Sequence, residues 1–245
     1  LKYNFTQPNN FVFQVQGYIT SHRTPKLKKS FLVRETGKSD YIYHTHNRDE
    51  YNSNALNLYF KKYLPNKQVL MFNAVGTSIN SDYDYRYNQE DNGFQTSYGV
   101  EGKKSSVIGE ARYSKDFEWG SLTSGIHSFY EHTKNHYTSS ASNEGKMINI
   151  SSKVYVQLDG RWGKFSGSAN LAIEDQYYKQ QSDRYHKQMF SPSGKLNYAI
   201  NQRLSLEYDF NLASRLPALS SMNNAAYQID QWERRVGNSG LKPFN

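Results

Sequence analysis

Residues 204–212 read LSLEYDFNL and alternate without a break. Leu204, Leu206, Tyr208, Phe210 and Leu212 fall on one side of a pleated strand, and Ser205, Glu207, Asp209 and Asn211 on the other. Such a strand meets two different media, one apolar and one aqueous. The apolar medium is either the dry core of a water-soluble β protein or the hydrocarbon of a membrane, and function turns on which.

The same period recurs along the chain. Phe11, Phe13, Val15, Gly17 and Ile19 form one face of a segment whose other face holds Gln14 and Gln16. Ile148, Ile150, Val154, Val156 and Leu158 oppose Asn149, Ser151, Lys153, Gln157 and Asp159. Phe165, Gly167, Ala169, Leu171 and Ile173 oppose Ser166, Ser168, Asn170 and Glu174, and Phe190, Leu196, Tyr198 and Ile200 oppose Ser191, Ser193, Lys195 and Asn197. Further candidates lie near 29–44, 55–64, 67–80, 105–117, 121–133 and 203–213. The total is about ten strands, many longer than the usual five or six residues. A tilted membrane strand needs about 9 to 11 residues to cross hydrocarbon.

Tight turns are expected at Pro65-Asn66, Glu118-Trp119-Gly120, Gly160-Arg161-Trp162-Gly163 and Asn201-Gln202, with a looser one at Arg23-Thr24-Pro25. Between them run the polar stretches HNRDEYNSN, NSDYDYRYNQEDNG, TKNHYTSSASNEG and DQYYKQQSDRYHK, read as long connections. Alternating short turns and long loops are the mark of outer-membrane barrels. Trp119 and Trp162 in short turns, and Tyr83, Tyr85, Tyr87, Tyr137, Tyr177, Tyr178 and Tyr185 in or beside the long loops, suit aromatic girdles. The alternative is a set of rigid or carbohydrate-stacking loop tyrosines.

Composition narrows the classes. Mean hydropathy is −0.87, yet alternating strands cancel in such an average. With no cysteine there is neither a disulfide framework nor a thiolate zinc site. The net charge of +8 is carried by scattered pairs such as Lys28-Lys29, Lys61-Lys62 and Lys103-Lys104, so no nucleic-acid partner is expected. The chain shows no signal peptide, opens abruptly in LKYNFTQPNN and closes in GLKPFN, and so reads as a segment of something longer.

No catalytic signature is present: no Gly-x-Ser-x-Gly elbow occurs, and no cofactor is called for. His44 and His46, with Asp49 and Glu50 nearby, read as a solvated loop rather than metal ligands. Asp82, Asp84, Glu90 and Asp91 do not follow a calcium-loop spacing. Charges sharing one strand face stand out more: Glu110 with Arg112, Lys153 with Asp159, and Glu207 with Asp209.

NLYFKKYLPNKQVLMFNAVGTSIN resembles a strand–turn–strand of TonB-dependent outer-membrane receptors of the Bacteroidota type, and KKSSVIGEARYSKDFEWGSLTSGIHSFYEHTKNHY resembles their next hairpin, with Gly109-Glu110 and Asn135. The tail RLPALSSMNNAAYQIDQWERRVGNSGLKPFN is similar to the family's Arg/Ser-x-Pro element, loop and Gly-Asn-Pro-x-Leu-Lys-Pro run. The matching positions are Arg215, Pro217, Gly237, Asn238, Leu241, Lys242 and Pro243, with Ser239 replacing the usual proline.

The resemblance implies an all-β, antiparallel up-and-down transmembrane β-barrel, of which residues 1–245 supply about ten of some 22 strands as a single domain segment. The family's plug domain lies outside this chain. Implied partners are outer-membrane lipid, the receptor's own N-terminal plug domain and through it the TonB energy-coupling complex, a nutrient ligand, and in some cases a surface lipoprotein. The implied activity is import of a siderophore, glycan, cofactor or peptide without bond breaking. Glu110, Arg112, Lys153, Asp159, Glu207 and Asp209 would face the lumen, and Tyr83, Tyr85, Tyr137, Tyr177 and Tyr178 would touch the ligand from loops. A soluble antiparallel sheet acting as a binding or adhesion module, and a barrel that only anchors surface proteins, remain the rival readings.

Overall fold

The computed structural model describes residues 1–34, 37, 39–139, 143–180, 183–212, 226–238 and 240–241. Their regular structure is strand: β1 (Lys2–Gln7), β2 (Phe11–Arg23), β3 (Leu27–Val33) and β4 (Tyr41–Leu64) come first. They are followed by β5 (Gln68–Gln89), β6 (Gln95–Phe117), β7 (Gly120–Thr138) and β8 (Asn143–Trp162). The next four are β9 (Phe165–Gln180), β10 (Asp183–Phe190), β11 (Ser193–Ala199) and β12 (Ser205–Asn211). A small hairpin of β13 (Ala226–Gln228) and β14 (Arg234–Val236) forms its own sheet.

Strands β1 to β12 make one antiparallel up-and-down sheet, in the order β1-β2-β4-β5-β6-β7-β8-β9-β11-β12. β2 and β3 both pair with β4, and β10 and β11 both pair with β9. Each couple is therefore one long pass with an interruption, and the meander has ten passes. Both interruptions hold a proline, which cannot donate to a ladder: Pro25 stands where no strand pairs on the outer side among the described residues, and Pro192 where the ladder with β12 ends. At the first, Thr24 still pairs with Asp49 through backbone and hydroxyl, and the extra residue makes a bulge opposite Arg48. The expected turn at Arg23-Thr24-Pro25 is thus a bulge within a continuing strand. At the second, the Ser191 amide reaches Ala172 and the Pro192 carbonyl accepts from Leu212.

The short turns expected at Pro65-Asn66, Glu118-Trp119-Gly120 and Asn201-Gln202 lie there, Asn66 being left-handed (φ 59°). The one expected at Gly160-Arg161-Trp162-Gly163 closes later, at Gly163 (φ 58°) and Lys164, with Gly160, Arg161 and Trp162 still in β8, and a further turn closes at Asn9 (φ 57°). One strand candidate is corrected. Residues 29–44 hold the end of β3, a connection around Gly37 (φ 83°) and the start of β4.

The larger correction concerns the polar stretches. HNRDEYNSN lies wholly inside β4, paired with both β5 and the β2–β3 pass. NSDYDYRYNQ belongs to β5, TKNHYT to β7, and DQYYKQ pairs with DRYHK across β9 and β10. Backbone hydrogen bonding needs no apolar side chain, so a segment polar on both faces can still pair, and it leaves no alternation to read. The strands are accordingly long: β5 holds 22 residues, about 70 Å of extended chain.

The ladder register carries one parity through all ten passes. Directly paired residues share a face, so Phe5, Phe13, Phe60, Phe72, Ala111, Ile126, Val154 and Ile173 form a single row. A parallel row on the opposite face runs Gln14, Tyr59, Asn73, Glu110, His127, Lys153, Glu174. The apolar face is open: Leu206 is 65%, Ile173 62%, Val154 56% and Phe210 47% exposed. Among the described residues, the buried ones lie instead on the polar face, among them Met71, Ser106, Glu131, Ala172, Gln176 and Tyr178. A single layer buries one face only by curling around it, so the polar side is the concave side.

No second layer covers the convex face among the described residues. The accessible surface is 16107 Å², against about 11,000 Å² for a compact globule of this mass. The sheet is also open. β1 and β12 are its edges, and no ladder joins them among the described residues.

Candidate functional site

The concave face divides into a lower wall, level with the exposed apolar rows, and an upper tyrosine-rich crown.

In the wall, Glu110, Arg112, Lys153, Asp159, Glu207 and Asp209 all lie on the polar face. They do not converge; they are stitched to local neighbours. Tyr155 Oη donates to Glu110 Oε1 at 2.7 Å, crossing over β7. Lys153 Nζ stands 5.8 Å from the Tyr155 ring. Gln157 donates to Asp159, and Lys195 Nζ reaches Glu207 Oε1 at 2.7 Å while standing in register with Asp209. Glu174 accepts from Ser151 at 2.7 Å and Gln176 at 2.8 Å. Higher up, Lys104 Nζ meets the buried Glu131 at 2.5 Å. These are wall contacts, with no nucleophile–base pair among them.

On the convex side, aromatics collect beside the short turns. Phe117 and Trp119 stack at 5.2 Å, Trp119 and Trp162 at 6.0 Å, and Phe165 lies 4.6 Å from Tyr198. Above the apolar rows the same face turns ionic, with Arg48 2.6 Å from Asp82 and Arg23 2.7 Å from Glu50. His44 is held between Ser30 and Glu90, at 2.8 and 2.6 Å. Among the described residues no group of three or more His, Asp or Glu is placed to hold a metal ion.

The tyrosines expected in loops are in strands. Tyr83 and Tyr85 belong to β5, Tyr137 to β7, and Tyr177 and Tyr178 to β9. Register puts Tyr83, Tyr85, Tyr87, Tyr137, Tyr178 and Tyr185 on the concave face, not in a girdle around the outside. Tyr177 faces the other way, beside His186 at 6.5 Å. The structure adds Tyr41, Tyr43 and Tyr98, which spacing had not singled out. Their signal was present, since Tyr41-x-Tyr43 and Tyr83-x-Tyr85-x-Tyr87 repeat with period two.

The crown is one aromatic patch. Tyr43 stacks on Tyr87 at 5.1 Å and on Phe31 at 4.9 Å, and Tyr98 lies 5.1 Å from Tyr85 and 5.8 Å from Tyr83. Burial, helped by neighbouring tyrosines and by Asp230, pushes the Tyr87 phenol up to about 12. Burial and a side-chain hydrogen bond with Tyr83 raise Tyr98 further. These phenols are neutral donors at any physiological pH.

The tail folds into this crown. Tyr227 of β13 packs on Tyr98 at 4.4 Å, and Trp232 on Tyr41 at 5.4 Å. Of the tail positions singled out in the sequence, Gly237 follows β14. The Asn238 side chain accepts from the Gly240 amide at 2.9 Å, and the Leu241 carbonyl accepts from Tyr178 Oη at 2.9 Å. Arg215, Pro217, Lys242 and Pro243 lie outside the described residues.

No protein-family model matches the chain. No curated protein matches it either.

Proposed function

We propose that this chain is wall of a larger outer-membrane barrel, that of a TonB-dependent receptor importing a nutrient. Its own plug domain would fill the concave side and couple it to the TonB complex. One observation carries the reading: a mostly apolar face, interrupted by Ser124, Ser128 and Ser152 and by Lys62 and Lys115 toward the short turns, exposed across ten passes on the outside of a sheet whose buried side chains are on its polar inside. Water is a poor medium for such a face, because each large apolar side chain left exposed forgoes about 1.5–3 kcal/mol of burial. Hydrocarbon removes that cost.

Dimensions agree. The apolar rows cover residues 56–64 on β4, 122–130 on β7 and 165–173 on β9, near the roughly ten that a tilted strand needs to cross the bilayer. The stacked tryptophans and phenylalanines at the short-turn rim suit the interface between lipid and water. The ionic face above the rows then stands among headgroups and beyond them.

A polar layer against the concave face is supported by side-chain oxygens without partners: Asn57, Asn73, Asn149 and Asn170 Oδ1, and Gln176 Oε1. A plug could bond to them directly or through water.

The test is membrane partition. The full-length protein should sediment with outer membranes and be extracted only by detergent, and the chain should insert into lipid vesicles. A folded monomer in detergent-free buffer would sink this reading and leave the soluble binding module.

A further inference from the structure

Above the apolar rows, the convex face of β4 to β8 is sorted by height. The last apolar row is Leu56, Gly76, Val107, Tyr130 and Ile150, and a neutral row of Asn54, Ser78, Ser105 and His132 follows, ending in Ile148. The next row sets Lys103, Lys134 and Lys146 directly opposite one another, beside Asn52 and Asn80. The row beyond it holds Glu50, Asp82, Glu101, His136 and Glu144. Like charges directly opposite in a sheet repel, so a self-neutralising wall would alternate signs along each row. Here the signs are divided between rows, with the cations nearer the apolar side. Glu144 lies 3.2 Å from both Lys134 and Lys146, and Asp82 holds Arg48 at 2.6 Å. The exposed side chains of Glu101 and Lys103, two apart on β6, have no partner among the described residues. Both charged rows line one hollow of about 580 Å³. Below it a hollow of about 850 Å³ passes Leu56 and Val107 over Gly76, and one of about 450 Å³ passes Leu58 and Ile126 over Ala74 and Gly109. From Asp82 down to Phe72 is about 33 Å of strand, or about 25 Å of height at a tilt near 40°. That is about half a bilayer with its headgroups.

We infer that this column of hollows seats a membrane lipid with a phosphoethanolamine headgroup, acyl chains toward the short turns and amine toward the crown. The seat rests on the lipid-facing reading of this face proposed above. Each row meets the chemistry of its own height. The lower hollows are lined by apolar and small side chains, where acyl chains lie. Asn54, Ser78 and Ser105 carry N–H and O–H donors at the level of the ester carbonyls. Lys103 and Lys134 take the phosphate by charge-assisted bonds, and Glu101 and Asp82 take the primary ammonium, one two-carbon arm further out. A headgroup that is only anionic satisfies the lysines and leaves the carboxylate row without a counter-charge. A phosphocholine headgroup brings a cation to the carboxylates but no N–H to donate.

The experiment places the full chain in detergent micelles with equal amounts of phosphoethanolamine, phosphocholine and phosphoglycerol lipids of identical acyl chains. Native mass spectrometry counts the lipid retained. The phosphoethanolamine lipid is expected to be retained about five-fold over either other, the worth of roughly one charge contact at a membrane surface. Free phosphoethanolamine at equal concentration is expected not to compete, since it lacks the chains. The exchange Glu101→Lys with Lys103→Glu keeps the net charge but inverts the two rows on β6, and is expected to bring the ratio to about one. Glu101→Gln, a milder change at an exposed and unpaired side chain, is expected to turn the preference toward the phosphoglycerol lipid. Equal retention of the three lipids, another lipid retained best, competition by the free headgroup, or a preference that survives both variants overturns the inference. Insertion of the same preparation into vesicles is scored separately. Protein that inserts but shows no headgroup preference defeats this inference alone, whereas protein that fails to insert defeats the receptor reading.

Discussion

Tyr155 on β8 reaches Glu110 on β6 by laying its ring over Gly125 of the intervening strand, with Oη 2.7 Å from Oε1. In register, Gly125 stands between Arg112 and Tyr155. A Cβ there would come within 2.8 Å of the Tyr155 hydroxyl and of the Ala111 carbonyl. The missing side chain is what lets a bond skip a strand.

Gly125→Ala is therefore expected to destabilise the folded sheet by about 1–3 kcal/mol through overpacking against backbone. Tyr155→Phe, which loses only a hydrogen bond to a carboxylate, should cost about 1–2 kcal/mol. Urea unfolding in lipid vesicles reads both. A neutral Gly125→Ala would contradict the packing.

Val154→Arg puts a charge at the centre of the apolar rows, beside Ile126 and Ile173. In vesicles it should cost about 2–4 kcal/mol. Ser168→Arg, on the concave face between Asp159 and Lys195, should change stability by less than about 0.5 kcal/mol. Equal effects would mean that lipid does not meet the Val154 face.

Lys104 and Glu131 form an asymmetric pair, their side chains 41% and 11% exposed. Lys104→Met strands a buried carboxylate and should cost about 1–3 kcal/mol, more than Glu131→Gln, which leaves a cation that can turn to water. A thermal-melt comparison checks the order, and the reverse order would refute the assignment of Glu131 to the enclosed side.

Alkaline pH should release the tail before it unfolds the wall. Burial raises the Tyr87 phenol from its ordinary 10 to about 12, so the unfolded form ionises first. The stabilisation is complete below pH 10 and is lost as pH rises through about 12. Phenolate absorbance should show a late-titrating class that shrinks in Tyr87→Phe, and Trp232 anisotropy should fall in the same window. A single step centred at pH 10 for all tyrosines would refute it.

The strands from Leu56 down to the short turns were legible because side chains alternate there with period two, and left-handed Asn and Gly close the turns. The six wall charges were assignable to one face for the same reason, since parity is a property of the strand alone. Above Leu56 the text fails. In HNRDEYNSN both faces are polar, so pairing leaves no mark, and paired strand reads as loop. The loop tyrosines were misplaced by that error.

The alternation of Leu206, Tyr208 and Phe210 with Glu207 and Asp209 determined by itself that this chain is a β-sheet with one oily face and one wet face. It could not determine which face turns inward, because curvature belongs to the whole sheet and not to any strand. Tertiary structure decided that: ten passes in one register curl around the polar side, leave the apolar side bare, and bring Trp232 onto Tyr41 from far along the chain.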